Sequence, residues 1–305
     1  MKRILLIVLA VLVLAIGISY WVPAERKSFQ EIFTGEPTPA TALLDSVRAI
    51  PLSNIEVDGR PWSYLVMGEG DRTVLFLHGM AGAYDIWWQQ LGAFAKDYRV
   101  ISLTYPPVQS LEDMAKAVTA ILDQEKVGKV IVIGSSLGGY FGQFLLATRP
   151  DRIEQAVFGN TFPPNDVLEA QNKAVARWVP WLPDWLVMKV LRGGLQAKTI
   201  PASGNDPLVS AYLLEGTYGK MSKDQFYARY RCVVDKFTAR EPSVPVLLIE
   251  SDNDPLVPEE LRSQLRAAYP QADVLTFHEG GHFPYINRAD EYNITVRQFL
   301  EGELD

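Results

Sequence analysis

From about residue 54 to the C-terminus, short apolar runs alternate with amphipathic stretches, and this alternation restricts the chain to few architectures. Asn54–Val57 and Ser63–Met67 flank Asp58-Gly59, a hairpin turn signal. VLFLHG (74–79), YRVISLTYP (98–106), VIVIGSS (130–136), QAVFGNTF (155–162), VPVLLIES (244–251) and ADVLTFHE (272–279) follow. Most of these later runs are continuously apolar, as strands buried on both faces are. Helical patterns at 85–96, 110–126, 138–148, 259–268 and 288–301 separate them. Strand, helix, strand repeated in this way predicts an α/β domain with a mostly parallel sheet and helices on both faces. Right-handed crossovers then bring every parallel strand's C-terminal end to one edge, where functional loops gather.

The alternation breaks at about 163–242, a helix-rich stretch with Pro180, Pro183, Trp178, Trp181 and Trp185. It reads as a helical cap inserted over the sheet edge. The chain of 305 residues, 48% hydrophobic, suits one such domain with its insertion (51–305). A formal net charge of -7 argues against a protein that tracks nucleic-acid phosphates. A single cysteine, Cys232, excludes an internal disulfide and any multi-cysteine metal site.

The strand VIVIGSS runs into Gly134-Ser135-Ser136-Leu137-Gly138, a G-x-S-x-G between a strand and a helix. A turn that tight brings the residues two before and two after the serine into contact, where only glycine fits. Ser136 is then a candidate nucleophile at a helix N-terminus, and Ser135, one position off the centre, is structural. A serine needs a base, and the chain holds only His78, His278 and His282. His282 follows the last strand in a glycine turn and is the candidate. The acid belongs after VLLIES, where Asp252 and Asp254 compete. Asp254 stands further out, ahead of a proline and an apolar pair, and is preferred. Oxyanion donors are expected at the amides of Leu137 and Met80, the latter in His78-Gly79-Met80-Ala81-Gly82, with His78 bracing the loop.

HEGGH (278–282) also fits H-E-x-x-H, a zinc-protease string. That site needs both histidines on one continuous helix, and each of Gly280 and Gly281 costs about 1 kcal/mol there relative to Ala. After a strand pattern, the string reads instead as a strand end and a turn. No metal and no cofactor are expected.

The N-terminus differs from the rest. Lys2 and Arg3 precede Ile4–Val22, 19 residues without a charge. As one helix these would span about 28 Å. The expectation is a single-pass transmembrane anchor (1–23), with Tyr20 and Trp21 at an interface and the catalytic domain outside the cytoplasm. A linker with a short lead-in helix (24–50) follows. A cleaved signal peptide is the rival reading.

Taken together, HGMAG, GSSLGG, SDNDPLVP and GGHFPY stand in the order that resembles the α/β-hydrolase superfamily, over about residues 54–302. RVISLTYPP leading almost directly to a helix, GGYFGQFLLATRP, and AYPQADVLTFHEGGHFPYINRADEYN resemble its maspardin-like branch. The animal members of that branch are thought of as binding proteins without a histidine at this place, whereas this chain has His282. The resemblance implies a serine hydrolase of esterase or lipase-like type, acting on a small-molecule acyl ester through an acyl-Ser136 intermediate. Tyr140 and Trp185 are expected to contact that substrate. A non-catalytic binding protein, or a lactonase, thioesterase or peptidase of the same fold, is the alternative. The oligomeric state is left open.

Overall fold

The structure, a computed structural model, describes residues 2–304, so Met1 and Asp305 lie outside it. Its sheet has eight strands: β1 (Ser53–Val57), β2 (Arg60–Met67), β3 (Thr73–Leu77), β4 (Arg99–Thr104), β5 (Val130–Ser135), β6 (Ile153–Gly159), β7 (Val246–Ser251) and β8 (Asp273–Phe277). Their order in space is β1-β2-β4-β3-β5-β6-β7-β8. β1 and β2 form the expected hairpin. Its turn residues Asp58 and Gly59 have φ 50° and 72°, the pair of positive angles a type I′ turn requires. β2 also pairs antiparallel with β4, and every other pairing is parallel.

The central strands are buried on both faces, which explains their continuous apolar runs. Val74, Phe76, Ile131 and Ile133 enter one apolar core, and Leu75, Leu77, Val130 and Val132 enter the other. The helix Leu111–Gln124 starts at Ser110, whose side chain caps Asp113 N, and turns Met114, Val118 and Ile121 onto the second core. β5, which runs into Ser136, sits between β3 and β6, so the loops after β3, β5 and β6 are direct neighbours.

Between β6 and β7 the chain is helical, with the helices Asp184–Gly194, Pro207–Glu215 and Lys223–Val233 the longest there. A buried ionic cluster joins this insertion to the lead-in helix Pro39–Arg48. Arg48 Nε donates to Asp85 Oδ2 at 2.7 Å, Tyr212 Oη donates to Asp85 Oδ1 at 2.6 Å, and Glu215 and Lys220 complete the group. Burial pushes the Asp85 carboxyl up, but Lys220 and Arg48 outweigh it and hold it below the usual carboxylate range.

The expected transmembrane anchor is corrected. The N-terminal helix ends at Ser19 rather than continuing to Val22, and two of its 18 residues are Lys2 and Arg3. The uncharged remainder, 4–19, is about 24 Å long at 1.5 Å per residue, short of a hydrocarbon core of about 30 Å. Among the described residues no helix is long and apolar enough to cross a membrane. The helix nevertheless displays its apolar side chains, with Leu5 71% and Leu14 64% exposed. Its end is tied to the insertion: Trp185 Nε1 donates to Ser19 O at 2.9 Å, and Tyr20 Oη donates to Trp181 O.

Candidate active site

Ser136 occupies the turn between β5 and the helix Leu137–Thr148 with φ 56° and ψ −123°. A non-glycine residue held there stores about 1–3 kcal/mol of strain, and such strain persists only where the surroundings over-determine it. They do. A Cβ on Gly134 would come within 2.3 Å of Gly138 O, and one on Gly138 within 1.9 Å of Leu77 O. The serine main chain is bonded at both ends: Ser136 N donates to Gly159 O at 2.9 Å, and Ser136 O accepts from Tyr140 N and Thr161 Oγ1 at 2.9 and 2.7 Å. Ser135, read as structural, is buried at the end of β5.

His282 and Asp254 meet across the edge. His282 Nδ1 lies 2.7 Å from Asp254 Oδ2, with side-chain exposures of 2% and 0%. The other carboxylate oxygen, Oδ1, accepts the amides of Leu256 and Val257 at 2.8 and 3.2 Å, which locks the loop after β7. An acid so held fixes the imidazole's orientation and keeps Nε2 free to act on a neighbouring proton. Among the described residues no hydrogen bond joins His282 to Ser136 Oγ; catalytic contacts of this kind commonly close only once substrate is bound.

Sequence reasoning missed Asn160. It follows β6 with φ 42°, and its Nδ2 donates to Asp254 Oδ2 at 3.0 Å, Gly281 O at 3.1 Å and Ser251 Oγ at 3.2 Å. One buried amide therefore ties the acid's loop to the histidine's loop. The available signal was an asparagine just past a strand, a residue type that tolerates positive φ.

The loop after β3 lies against Ser136: a Cβ on Gly79 would stand 3.0 Å from Ser136 Cβ and 3.5 Å from Ser136 Oγ. Among the described residues neither the Met80 N–H nor the Leu137 N–H has an acceptor. His78 is wholly buried beneath this loop, and desolvation, with the Arg229 charge second, pushes its pKa well down, so the ring is neutral. Tyr105 N approaches His78 Nε2 at 3.4 Å, which leaves Nδ1 to donate to Gly79 O at 2.7 Å. That carbonyl belongs to the peptide whose N–H is Met80's, so the bond both orients and polarises it.

The string HEGGH forms no helix. β8 ends at Phe277, and 278–282 are turns, with Glu279 and Gly281 at φ 56° and 64°. The two histidines part company there. His278 is 86% exposed and bonded to Asp252 at 2.8 Å, whereas His282 is buried. Tyr140 and Trp185, expected to contact substrate, are placed as follows. Tyr140 is 1% exposed, packs on Phe162 and Phe237, and donates its hydroxyl to Asp235 O at 2.8 Å. It thus has no edge to offer a ligand. Trp185 bonds to the N-terminal helix, as described above. Trp178 and Trp181, in the same insertion, are 53% and 73% exposed.

Comparisons with known proteins agree with this fold. The alpha/beta hydrolase family matches residues 74–293. Mouse and human maspardin are each 24% identical over 268 residues, covering 82% of this chain and 83% of theirs. Among solved structures, a hydrolase from Pseudomonas aeruginosa has a TM-score of 0.72 at 21% identity, covering 83% of this chain and 99% of its own. An enol-lactonase from Burkholderia xenovorans has a TM-score of 0.69 at 20% identity, covering 82% of this chain and 100% of its own.

Proposed function

The chain belongs to the alpha/beta hydrolase family, and from that premise we propose that it is a serine hydrolase of carboxylic esters with Ser136, Asp254 and His282 as its triad. The observation that carries this reading is the sealed Asp254–His282 pair at the edge where the strained Ser136 emerges. A protein that only bound ligands would need neither a buried carboxylate to orient an imidazole nor a serine held in a costly conformation.

The reaction follows from the placement of groups. Ser136 Oγ attacks the ester carbonyl and gives its proton to His282 Nε2, while the carbonyl electron pair moves to oxygen. Asp254 stabilises the imidazolium through Nδ1–H. The Met80 and Leu137 amides receive the oxyanion. Collapse breaks the bond to the alkoxy group, which leaves with the proton from His282. Water, deprotonated by His282, then repeats the sequence on the acyl-serine. Lactones, thioesters and peptides present the same carbonyl, and the resemblance to an enol-lactonase supports including cyclic esters.

The test is labelling by a fluorophosphonate together with turnover of p-nitrophenyl esters of graded chain length. Both should be present in the native protein and absent in Ser136→Ala. The competing reading is a binding protein of the maspardin kind, supported by the 24% identity to maspardin. A native protein that takes up no label would favour it.

We also propose that the N-terminal helix holds the enzyme at a lipid surface, on the outer side of the cytoplasmic membrane. The support is its exposed apolar residues, with Trp21 88% exposed at its end. Retention of the native protein on lipid vesicles, and its loss on removing residues 2–22, tests this.

A further inference from the structure

Arg229 belongs to the helix Lys223–Val233 in the inserted region, yet its side chain is buried, with 2% of the residue exposed. Among the described residues no carboxylate pairs with it; its polar partners are main-chain carbonyls and one thioether. Nη1 donates to Met80 O at 2.7 Å and Gly82 O at 2.9 Å and lies 3.4 Å from Met221 Sδ, and Nη2 donates to Tyr105 O at 3.4 Å. Nε is buried without an acceptor. Two of those carbonyls belong to the loop that carries the oxyanion donor.

An unpaired buried charge is costly, and for stability alone an apolar side chain of like volume would serve as well or better. Desolvation draws the Arg229 pKa down to about 10, which still leaves a cation at neutral pH. The titratable groups around it do not balance that charge. Burial raises the Tyr105 and Tyr212 hydroxyls and pushes the Cys232 thiol up to about 12, so all three are neutral, as is His78. Asp85 is already matched by Arg48 and Lys220.

We propose that Arg229 is a positioning residue of the oxyanion hole, which clamps the carbonyls of Met80 and Gly82 and places an unmatched positive charge beside the oxygen that becomes negative. This rests on the serine-hydrolase reading. In the step concerned, the Ser136 Oγ–carbon bond forms, the carbonyl π pair moves to oxygen and the serine proton passes to His282. Arg229 keeps its proton and contributes only its field and its grip on the loop. The charge has no counter-ion in the resting state and gains one in the transition state, which is the differential stabilisation that accelerates a reaction.

Arg229→Gln and Arg229→Lys in the full chain, with native protein alongside, test this. Fluorophosphonate labelling comes first, and a native protein that takes no label overturns the underlying hydrolase reading. With labelling established, Arg229→Gln should lower kcat by roughly ten- to a hundredfold with KM within about twofold. Arg229→Lys should keep much of the rate near pH 6 and lose it between about pH 7 and 9, because a buried ammonium gives up its proton there while the guanidinium, with its pKa drawn down only to about 10, keeps most of its charge. The native profile should be level over that range. A folded Arg229→Gln with native kcat overturns the proposal. A slow Arg229→Lys whose rate does not depend on pH in that range reduces the residue to a structural brace and also overturns it. If Arg229→Gln does not fold, the Arg229→Lys profile decides alone.

Discussion

Asp252 and Asp254, two residues apart, each hold one of two histidines that stand four residues apart, but only the Asp254 partner, His282, is held away from water. The bond lengths hardly differ, at 2.8 Å for Asp252–His278 and 2.7 Å for Asp254–His282, while the histidine side chains are 86% and 2% exposed. In the exposed pair solvent and salt screen the interaction, and in the buried pair they do not. Asp254→Asn should therefore lower kcat/KM by about 10³ to 10⁴, and Asp252→Asn by less than about tenfold. Steady-state rates on one chromogenic ester decide the matter, and the reverse ranking would move the acid to Asp252.

The histidines should separate the same way. His282→Ala leaves Ser136 without a base and should lower turnover by at least about 10³. His278→Ala removes a surface bond that also helps hold the loop after β8, at a cost of under about tenfold. Activity that a chelator abolished and zinc restored would return the HEGGH string to the metal reading.

Asn160 should behave as a brace between two loops. Asn160→Ala removes three donated bonds around a buried carboxylate, so both stability and rate should fall. A loss of about 1–3 kcal/mol in denaturant unfolding is expected, with kcat falling more than KM rises. Asn160→Asp should be worse than Asn160→Ala, because it sets a second carboxylate 3.0 Å from Asp254. An Asn160→Asp enzyme as active as the native one would mean the amide does not support the acid.

Asp85 should account for part of the acid sensitivity of folding. Its folded pKa is depressed by Lys220 and Arg48. The stability it contributes is therefore present above the unfolded value near 4 and is lost as pH falls below that. Asp85→Asn should cost about 1–3 kcal/mol at pH 7, since it leaves a half-buried Arg48 and a partly exposed Lys220 with Glu215 alone, where solvent softens the loss. The gap between variant and native protein should close on acidification below about pH 4. Urea titrations at pH 7 and below pH 4 measure both ends, and a gap that persists in acid would place the stabilisation elsewhere.

How far the sequence could be read depended on whether a local signal existed. β3, β5 and β7 were legible because strands buried on both faces must be apolar throughout, and the glycines at 134 and 138 were legible because close backbone contact admits nothing larger. The turn at 278–282 was legible from Gly280 and Gly281. Asn160 and Arg229 were not, because their partners are far away in sequence and neither belongs to a periodic pattern. Nor were the surroundings of Trp185 and Tyr140, for a related reason. An aromatic ring near a motif can face a ligand, a core or another helix, and composition does not distinguish these. The N-terminal run was readable as apolar, but its helix ends where Ser19 O accepts a bond from Trp185 and Tyr20 donates one to Trp181 O, partners in the distant insertion that the local sequence does not reveal.

The clearances at the elbow also bear on how such a chain can change over generations. A methyl group at position 138 would lie 1.9 Å from Leu77 O, so substitution there is barred whatever the substrate. Val175, Trp178, Trp181 and Val190 in the insertion are half-buried or exposed, and most replacements there would cost the fold little. The elbow is thus closed to change by its own clearances, while the outer face of the insertion is open to it. Lineages descending from this protein can drift at that surface while the turn around Ser136 keeps its shape.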